Sequence, residues 1–137
     1  MSSLRIFDIA GSGMNAQNLR LNVVSSNLAN VDAVSSSLED TYRARQPVFR
    51  ALLDQGNPQS PATGVAMAGV VESKAPLIKE YAPNHAMADE NGYIYRPNIN
   101  PVEEMANMIS ASRAYQNNVE VLNSARQMMV ATINLGR

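Results

Sequence analysis

Hydrophobic positions recur at heptad spacing at both ends of this chain and lose that spacing in between. Near the start, Phe7, Met14, Leu21 and Leu28 lie seven apart, with Ala10, Gln17, Val24 and Val31 offset by three. In a helix wound to about 3.5 residues per turn the two rows merge into one stripe, which calls for a partner helix. Near the end, Met105, Ser112, Val119, Arg126 and Ile133 form one row, and Met108, Tyr115, Leu122 and Met129 form the second. The matching stripes predict a mainly α fold in which the N- and C-terminal helices pair as an antiparallel coiled-coil hairpin. Phe7, Met14, Leu21 and Leu28 are expected to pack against Met108, Tyr115, Leu122 and Met129. The expected division is 1–34 for the first helix, 35–98 for an inserted loop and β region, and 99–137 for the last helix.

Local signals sharpen these elements. The first helix reads from Leu4 to about Val31, although Gly11, Ser12 and Gly13 interrupt it and each Gly costs about 1 kcal/mol relative to Ala. A bend there, or a start after it, is expected. The turn-rich run Asp32–Ser37 breaks the helix, and Glu39–Phe49 then alternates like a half-exposed strand, with Pro47 favouring an edge. Gln55–Gly64 reads as a loop, Val65–Val71 as a second strand able to form a hairpin with the first, and Ala82–Asn98 as mostly irregular. Asn100 is an apt N-cap for the last helix. Pro101 suits the first helical position, and Glu103 stands where a capping-box partner reaches back. With no Gly or Pro from there to about Leu135, that helix spans some 50 Å, against about 40 Å for the first.

Composition points the same way and removes several function classes. The 137 residues include two Phe, five Tyr, no Trp and eight Met, a thin aromatic supply better suited to adaptable helix contacts than to a rigid globular core. Eleven basic residues against twelve acidic ones give a net charge of −1, which argues against a nucleic-acid partner. There is no cysteine, so neither disulfides nor thiolate metal sites are available. No cleavable secretory signal and no membrane span are expected, and the cytoplasm is the default address unless another export route applies.

Each tempting chemical motif has a plainer reading. Gly11-Ser12-Gly13-Met14-Asn15-Ala16 matches a dinucleotide fingerprint, with Asp32 about 20 residues on, where a ribose-binding acid belongs. Its context fails, because no apolar second strand follows and the heptad runs through the glycines; a helix hinge or a close-packing point is the better reading. His85, the single histidine, has no cysteine or second histidine with which to complete a zinc site. Glu103 and Glu104 point about 100° apart on a helix, so they serve capping and the helix dipole rather than paired-carboxylate chemistry. No enzyme activity, cofactor, metal or small-molecule substrate is expected.

Polar residues within the stripes carry more information. Gln17, Ser112 and Arg126 either restrict register and partner choice or face solvent. Asn15, Asn18, Asn22, Asn27 and Asn30 on the first helix, with Asn107, Asn117, Asn118, Asn123 and Asn134 on the last, are poor helix formers. Amide-rich faces make sense when neighbouring subunits bury them, since neutral hydrogen bonding avoids the cost of burying charge. This favours a polymer. The remaining classes are a small nucleotide-binding enzyme built on Gly11–Gly13 and a free-standing helical adaptor for one soluble partner.

The residues also resemble a known family. Phe7 to Gln17 (FDIAGSGMNAQ) and Val24 to Val31 (VSSNLANV) are similar to the amino-terminal signature of bacterial flagellar rod and hook proteins. Thr41 to Phe49 (TYRARQPVF), Gly92 to Asn100 (GYIYRPNIN), Asn100 to Met105 (NPVEEM) and Ser112 to Asn118 (SRAYQNN) extend the likeness over most of the chain outside Gln55–Gly64, and the short length resembles the proximal rod subtype. Asn27, Leu28, Ala29, Asn30, Asn100, Pro101 and Glu103 carry the family motifs. The Thr-Pro-Gly-Tyr that follows Asn-Leu-Ala-Asn in the wider family is missing; Asp32–Asp40 intervenes before Tyr42. The resemblance implies a structural subunit of the basal-body rod, spanning the periplasm and exported unfolded through the flagellar type III apparatus without a cleaved signal. It further implies assembly with other rod proteins and with copies of itself into a helical tube, with the terminal helices inside and the insertion outside.

Overall fold

The computed structural model describes residues 3–52 and 64–136. Two long helices, α1 (Ser3–Ala29) and α2 (Pro101–Leu135), flank four strands: β1 (Arg45–Leu52), β2 (Gly64–Glu72), β3 (Ile78–Tyr81) and β4 (Tyr93–Arg96). The fold is thus mainly helical, with two small antiparallel strand pairs. Apart from Gly64, which opens β2, the expected Gln55–Gly64 loop lies outside the described residues. Among the described residues no helix is long and apolar enough to cross a membrane.

The start of α2 follows from its sequence. Asn100 sits in an extended conformation and its side chain accepts from the amides of Val102 and Glu103, while Pro101 takes the first helical position. Glu103 and Glu104 fill the first turn, where the helix dipole favours negative charge. The close of α1 is tighter: the Asn30 and Val31 amides reach back three residues to the Asn27 and Leu28 carbonyls, and Asn30 Nδ2 donates to the Ser26 carbonyl at 2.8 Å.

α1 does not begin after Gly11-Ser12-Gly13 but runs unbroken through them, and two of these residues are used for close approach. A Cβ on Gly13 would stand 2.9 Å from Asn118 Nδ2, so the Asn118 carboxamide fills the space that a side chain on residue 13 would take. Ser12 Oγ donates to the Ile9 carbonyl at 2.8 Å and accepts the Val65 amide at 3.1 Å, which brings β2 onto the helix. The contacts offset the low helix propensity of Gly.

The two helices meet in a falling order. Gly13 faces Asn118, Arg20 donates to Asn107 Oδ1 at 2.9 Å, and Asn27 donates to Glu104 Oε2 at 3.1 Å. On α2 the fully buried residues are Ala111 and Ala125, seven positions either side of Asn118. The inward row is therefore Glu104, Ala111, Asn118 and Ala125, opposite Gly13, Arg20 and Asn27. Each position stands one residue before an apolar row expected from the periodicity. Ala, Gly and Asn are short, so the helix backbones approach closely where Leu or Met would hold them apart.

The β1–β2 ribbon lies along α1. Its register runs from Arg45 opposite Glu72 to Leu52 opposite Gly64, with a bulge that skips Ala68 between the Val48–Gly69 and Phe49–Met67 pairs. Pro47 is tolerated because a two-stranded ribbon has an open edge on either side. The first strand starts at Arg45 rather than Glu39, since Ser37 and Thr41 turn the preceding segment: Ser37 Oγ donates to Asp40 Oδ2 at 2.7 Å, and Thr41 Oγ1 donates to the Ser37 carbonyl at 2.6 Å. Ser12, bonded to Val65, and Asn27, bonded to Arg45, are fifteen residues apart, about 22 Å of helix. Arg45 and Ala51, the partner of Val65, are six residues apart, about 20 Å of strand. The ribbon is fastened to α1 at both ends because these lengths match.

Ala82–Asn98, expected to be mostly irregular, contains β4, which pairs antiparallel with β3 from Ile78–Arg96 to Tyr81–Tyr93. Residues 89–93 form the turn. The Gly92 amide donates to the Asp89 carbonyl, the Asp89 amide donates to the Tyr93 carbonyl, and Gly92 adopts φ +80°, the type I turn with a following left-handed glycine. Ser35 and Tyr95 exchange both backbone hydrogen bonds at 3.0 Å, which joins this ribbon to the segment after α1. Asn98 then pins the middle of the chain, accepting the Ala44 amide and donating to the Ala75 carbonyl, both at 2.9 Å.

Two outcomes follow. Gly13→Leu forces the helices apart, lowering stability by about 1–3 kcal/mol, whereas the gain in helix propensity of about 1 kcal/mol leaves Gly13→Ala near neutral; urea denaturation midpoints separate the two. In the turn, the Tyr93 amide, helped by the Asn91 amide, the Tyr95 hydroxyl and Lys79, holds the Asp89 carboxyl below its ordinary pKa of 3.8 against the opposing effect of partial burial. A depressed folded-state pKa means that the turn is fully supported above that ordinary value and loosens as pH falls through the lowered one. Tyr93 amide exchange across an acid titration, relative to an Asp89→Asn control, reads this directly.

Candidate functional site

Among the described residues Asn27 makes the most side-chain hydrogen bonds, and it is 1% exposed. Its Oδ1 accepts the Arg45 amide at 2.9 Å and the Tyr42 hydroxyl at 3.0 Å. Its Nδ2 donates to the Arg45 carbonyl at 2.8 Å and to Glu104 Oε2 at 3.1 Å. A carboxamide has two donor protons and two acceptor lone pairs, and all four are used. By holding both backbone groups of Arg45, Asn27 acts as one residue of a neighbouring strand and ends the ribbon on the helix. The same amide reaches α2 through Glu104. Tyr42, whose hydroxyl also lies 3.2 Å from Ser26 Oγ, has its ring beneath the Arg45 guanidinium, 5.2 Å from the centroid. Arg45 in turn reaches Glu72 across the ribbon at 3.6 Å, a half-exposed pair that contributes little by itself.

The remaining motif and stripe residues distribute as follows. Val24 is buried, and Phe7, Met14, Leu21, Leu28, Met108, Val119, Leu122 and Met129 are half-buried. Met105, Tyr115 and Ile133 are exposed, as are Ala29, Asn100, Pro101 and Glu103 at the helix ends, while Asn30 is half-buried. The helix amides divide by face: Asn27, Asn107 and Asn118 work between α1 and α2, whereas Asn15, Asn18, Asn22, Asn117, Asn123 and Asn134 are exposed. Tyr42, Arg45, Asn98, Glu104 and Ala111 complete the framework, and hydrophobic periodicity gives no signal for them. The motif Asn27-Leu28-Ala29-Asn30 marked the place without telling which amide is interior.

The sites weighed for chemistry hold none of the geometry needed. Gly11-Ser12-Gly13 lies in the interior of α1, so its amides are inside a helix rather than at a phosphate-binding N-terminus. His85 Nδ1 accepts the Met87 amide at 3.1 Å within a turn. Among the described residues no group of three or more His, Cys, Asp or Glu side chains is placed to hold a metal ion.

Comparison with known proteins identifies the arrangement. Residues 7–35 match the family described as flagella basal body rod protein, and residues 90–135 match the flagellar basal body rod FlgEFG protein C-terminal region. The chain belongs to the flagellar basal-body rod protein family. It is 48% identical to the flagellar basal-body rod protein FlgC of Salmonella typhimurium and to that of Escherichia coli O157:H7, each over 137 residues that cover both chains completely. The FlgC of Borreliella burgdorferi is 36% identical over 135 residues, with 88% of this chain and 89% of the relative covered. This is a rod subunit of the FlgC kind, and the free-standing adaptor reading is not favoured. The first matched segment contains most of α1 with Asn27, and the second contains β4, Asn98, Asn100 and the whole of α2, so the two halves of the Asn27–Glu104 contact fall in different matched segments.

Removing the clamp has a defined signature. Asn27→Ala removes four hydrogen bonds at once, from both backbone groups of Arg45, the Tyr42 hydroxyl and Glu104, at a cost of roughly 1–3 kcal/mol in urea denaturation. Asn27→Asp is worse at neutral pH, because a carboxylate replaces the donor that faces Glu104. Burial and the like charge raise its folded pKa, so this variant regains stability as pH falls, which the alanine variant does not.

Proposed function

We propose that this chain is a subunit of the proximal basal-body rod that polymerises helically with copies of itself and with other rod proteins, forming a hollow shaft that transmits torque and carries exported subunits. The single observation that carries the reading is the exposed apolar surface of α2. Val102, Met105, Ile109, Val121, Met128, Val130, Ile133 and Leu135 are between 47% and 86% exposed in the lone chain. An isolated soluble helix seldom leaves so much apolar surface uncovered, whereas a subunit interface buries it. The exposed amides lie among these residues and suit a contact that is dry but uncharged.

The falling order of contacts supports an antiparallel coiled-coil hairpin as the core, made by 1–34 and 99–137, with 35–98 as an outward insertion. Ten residues before Gly13 is Ser3, the first described residue of α1, and ten after Asn118 is Met128; the turns of α2 beyond Met128 have no described α1 residue opposite them. A contact between such an overhang and a different face of the next subunit is heterologous, and a heterologous contact that does not close generates a helix. In this reading the hairpin ends gain order on incorporation, and the cost of ordering is offset by the new contacts. Export through the flagellar type III apparatus without a cleaved signal, and residence in the periplasmic part of the basal body, belong to the same reading. The role requires packing and no turnover of substrate.

Substitutions at exposed and seam positions test it. Met128→Asp leaves the urea midpoint of the purified chain within about 0.5 kcal/mol of wild type, yet abolishes rod assembly and swimming in a complementation assay. Leu21→Asp, which places a charge on a half-buried position, blocks assembly as well and also lowers the stability of the lone chain. Normal rods and motility with both variants overturn the assignment.

A further inference from the structure

The turn between β3 and β4 contains a chemically labile bond in an unusual setting. Asn91–Gly92 is the one Asn–Gly pair in the chain; every other asparagine precedes a residue with a side chain. Glycine leaves the approach to its backbone nitrogen uncrowded. The Asn91 side chain is exposed and makes no hydrogen bond among the described residues, so its carboxamide is open to attack. The nucleophile is not. The Gly92 amide donates to the Asp89 carbonyl at 2.9 Å, the Asn91 amide donates to Asp89 Oδ1 at 2.9 Å, and the Tyr93 amide donates to the same oxygen at 2.8 Å. Tyr95 Oη donates to Asp89 Oδ2 at 3.2 Å and closes the arrangement from the strand side.

We propose that Asn91 is a site of spontaneous deamidation, held latent by the Asp89 turn. When the turn opens, the Gly92 nitrogen gives its proton to solvent base and bonds to Asn91 Cγ. The Cγ–Nδ2 bond breaks as Nδ2 takes a proton from solvent, ammonia leaves, and a five-membered imide remains. Water then opens the imide at one of its two carbonyls, giving aspartate or an isoaspartate whose main chain runs through Cβ. Either product places a third carboxylate beside Asp89 and Glu90. The isoaspartate also lengthens the main chain inside a turn that sets the Tyr81–Tyr93 pairing, so it prevents the turn from closing again. Folding therefore protects the site, and a chain that spends time unfolded carries a chemical record of it.

The purified full chain, incubated in mildly alkaline buffer with and without urea, tests the proposal by peptide mass spectrometry of the 89–96 segment. Conversion at Asn91 is expected in urea and is slowed roughly tenfold or more in the native chain, since local opening must come first. Asp89→Ala speeds native conversion toward the unfolded rate. Tyr95→Phe, which removes one hydrogen bond and leaves the carboxylate, gives an intermediate rate and keeps the test decisive if Asp89→Ala does not fold. Asn91→Ser abolishes the mass change. Equal rates with and without urea overturn the protection, and an unmodified Asn91 in urea overturns the site.

Discussion

A single buried carboxamide ties the fold together. Asn27 has no free hydrogen-bonding capacity, and its partners come from the tyrosine before the ribbon, the first residue of β1 and the first turn of α2. A buried polar group is stabilising only when every one of its bonds is made, so the position of each partner is constrained by the other three. That requirement sets where the ribbon meets α1. It also sets where α2 begins along α1, because Glu104 lies in the turn that Asn100 caps. Few apolar contacts could do the same: among the described residues the buried apolar set is half alanine, with Val24, Ile94, Tyr95, Pro97 and Ile99 as its larger members. Alanine tolerates sliding, whereas a four-bonded amide does not.

The helix pair shows the same preference for small and polar groups. Gly13, Ala111 and Ala125 let the backbones come close, and Asn118, Arg20 and Asn107 supply directional contacts in the gaps. Such a seam buries little apolar area, which leaves the large apolar side chains of α2 turned outward. In a protein that worked alone this would be an unstable division of surface. On the proposed reading, a rod subunit reserves its strongest apolar contacts for neighbours, and the internal contacts mainly set shape.

Much of this was legible in the residues before any coordinates. Asn100-Pro101 fixed the start of α2, the absence of Gly and Pro after it indicated the length, and the motifs from Phe7 to Asn118 pointed to the rod family. Other features were hidden for physical reasons. Hydrophobic periodicity finds apolar rows, so it is blind to a seam whose inward positions are Gly13, Arg20, Asn27, Glu104 and Asn118. Helix propensity counts Gly11–Gly13 as a weakness, because it contains no term for what packs against the missing side chains. β4 escaped notice because Gly92 and Pro97 bracket only four residues, and its stability comes from distant partners, Ser35 and Ile78–Tyr81.

The ribbon fastened at Ser12 and Asn27 has a mechanical consequence. A long helix yields first where its side chains are smallest, and in α1 that place is the glycine pair around Ser12. There the end of the β1–β2 ribbon is riveted to the helix, and from Ser12 to Asn27 the two members run side by side. Bending that stretch would require stretching or shearing the ladder of β1 and β2, so the beam is doubled from its weakest point onward.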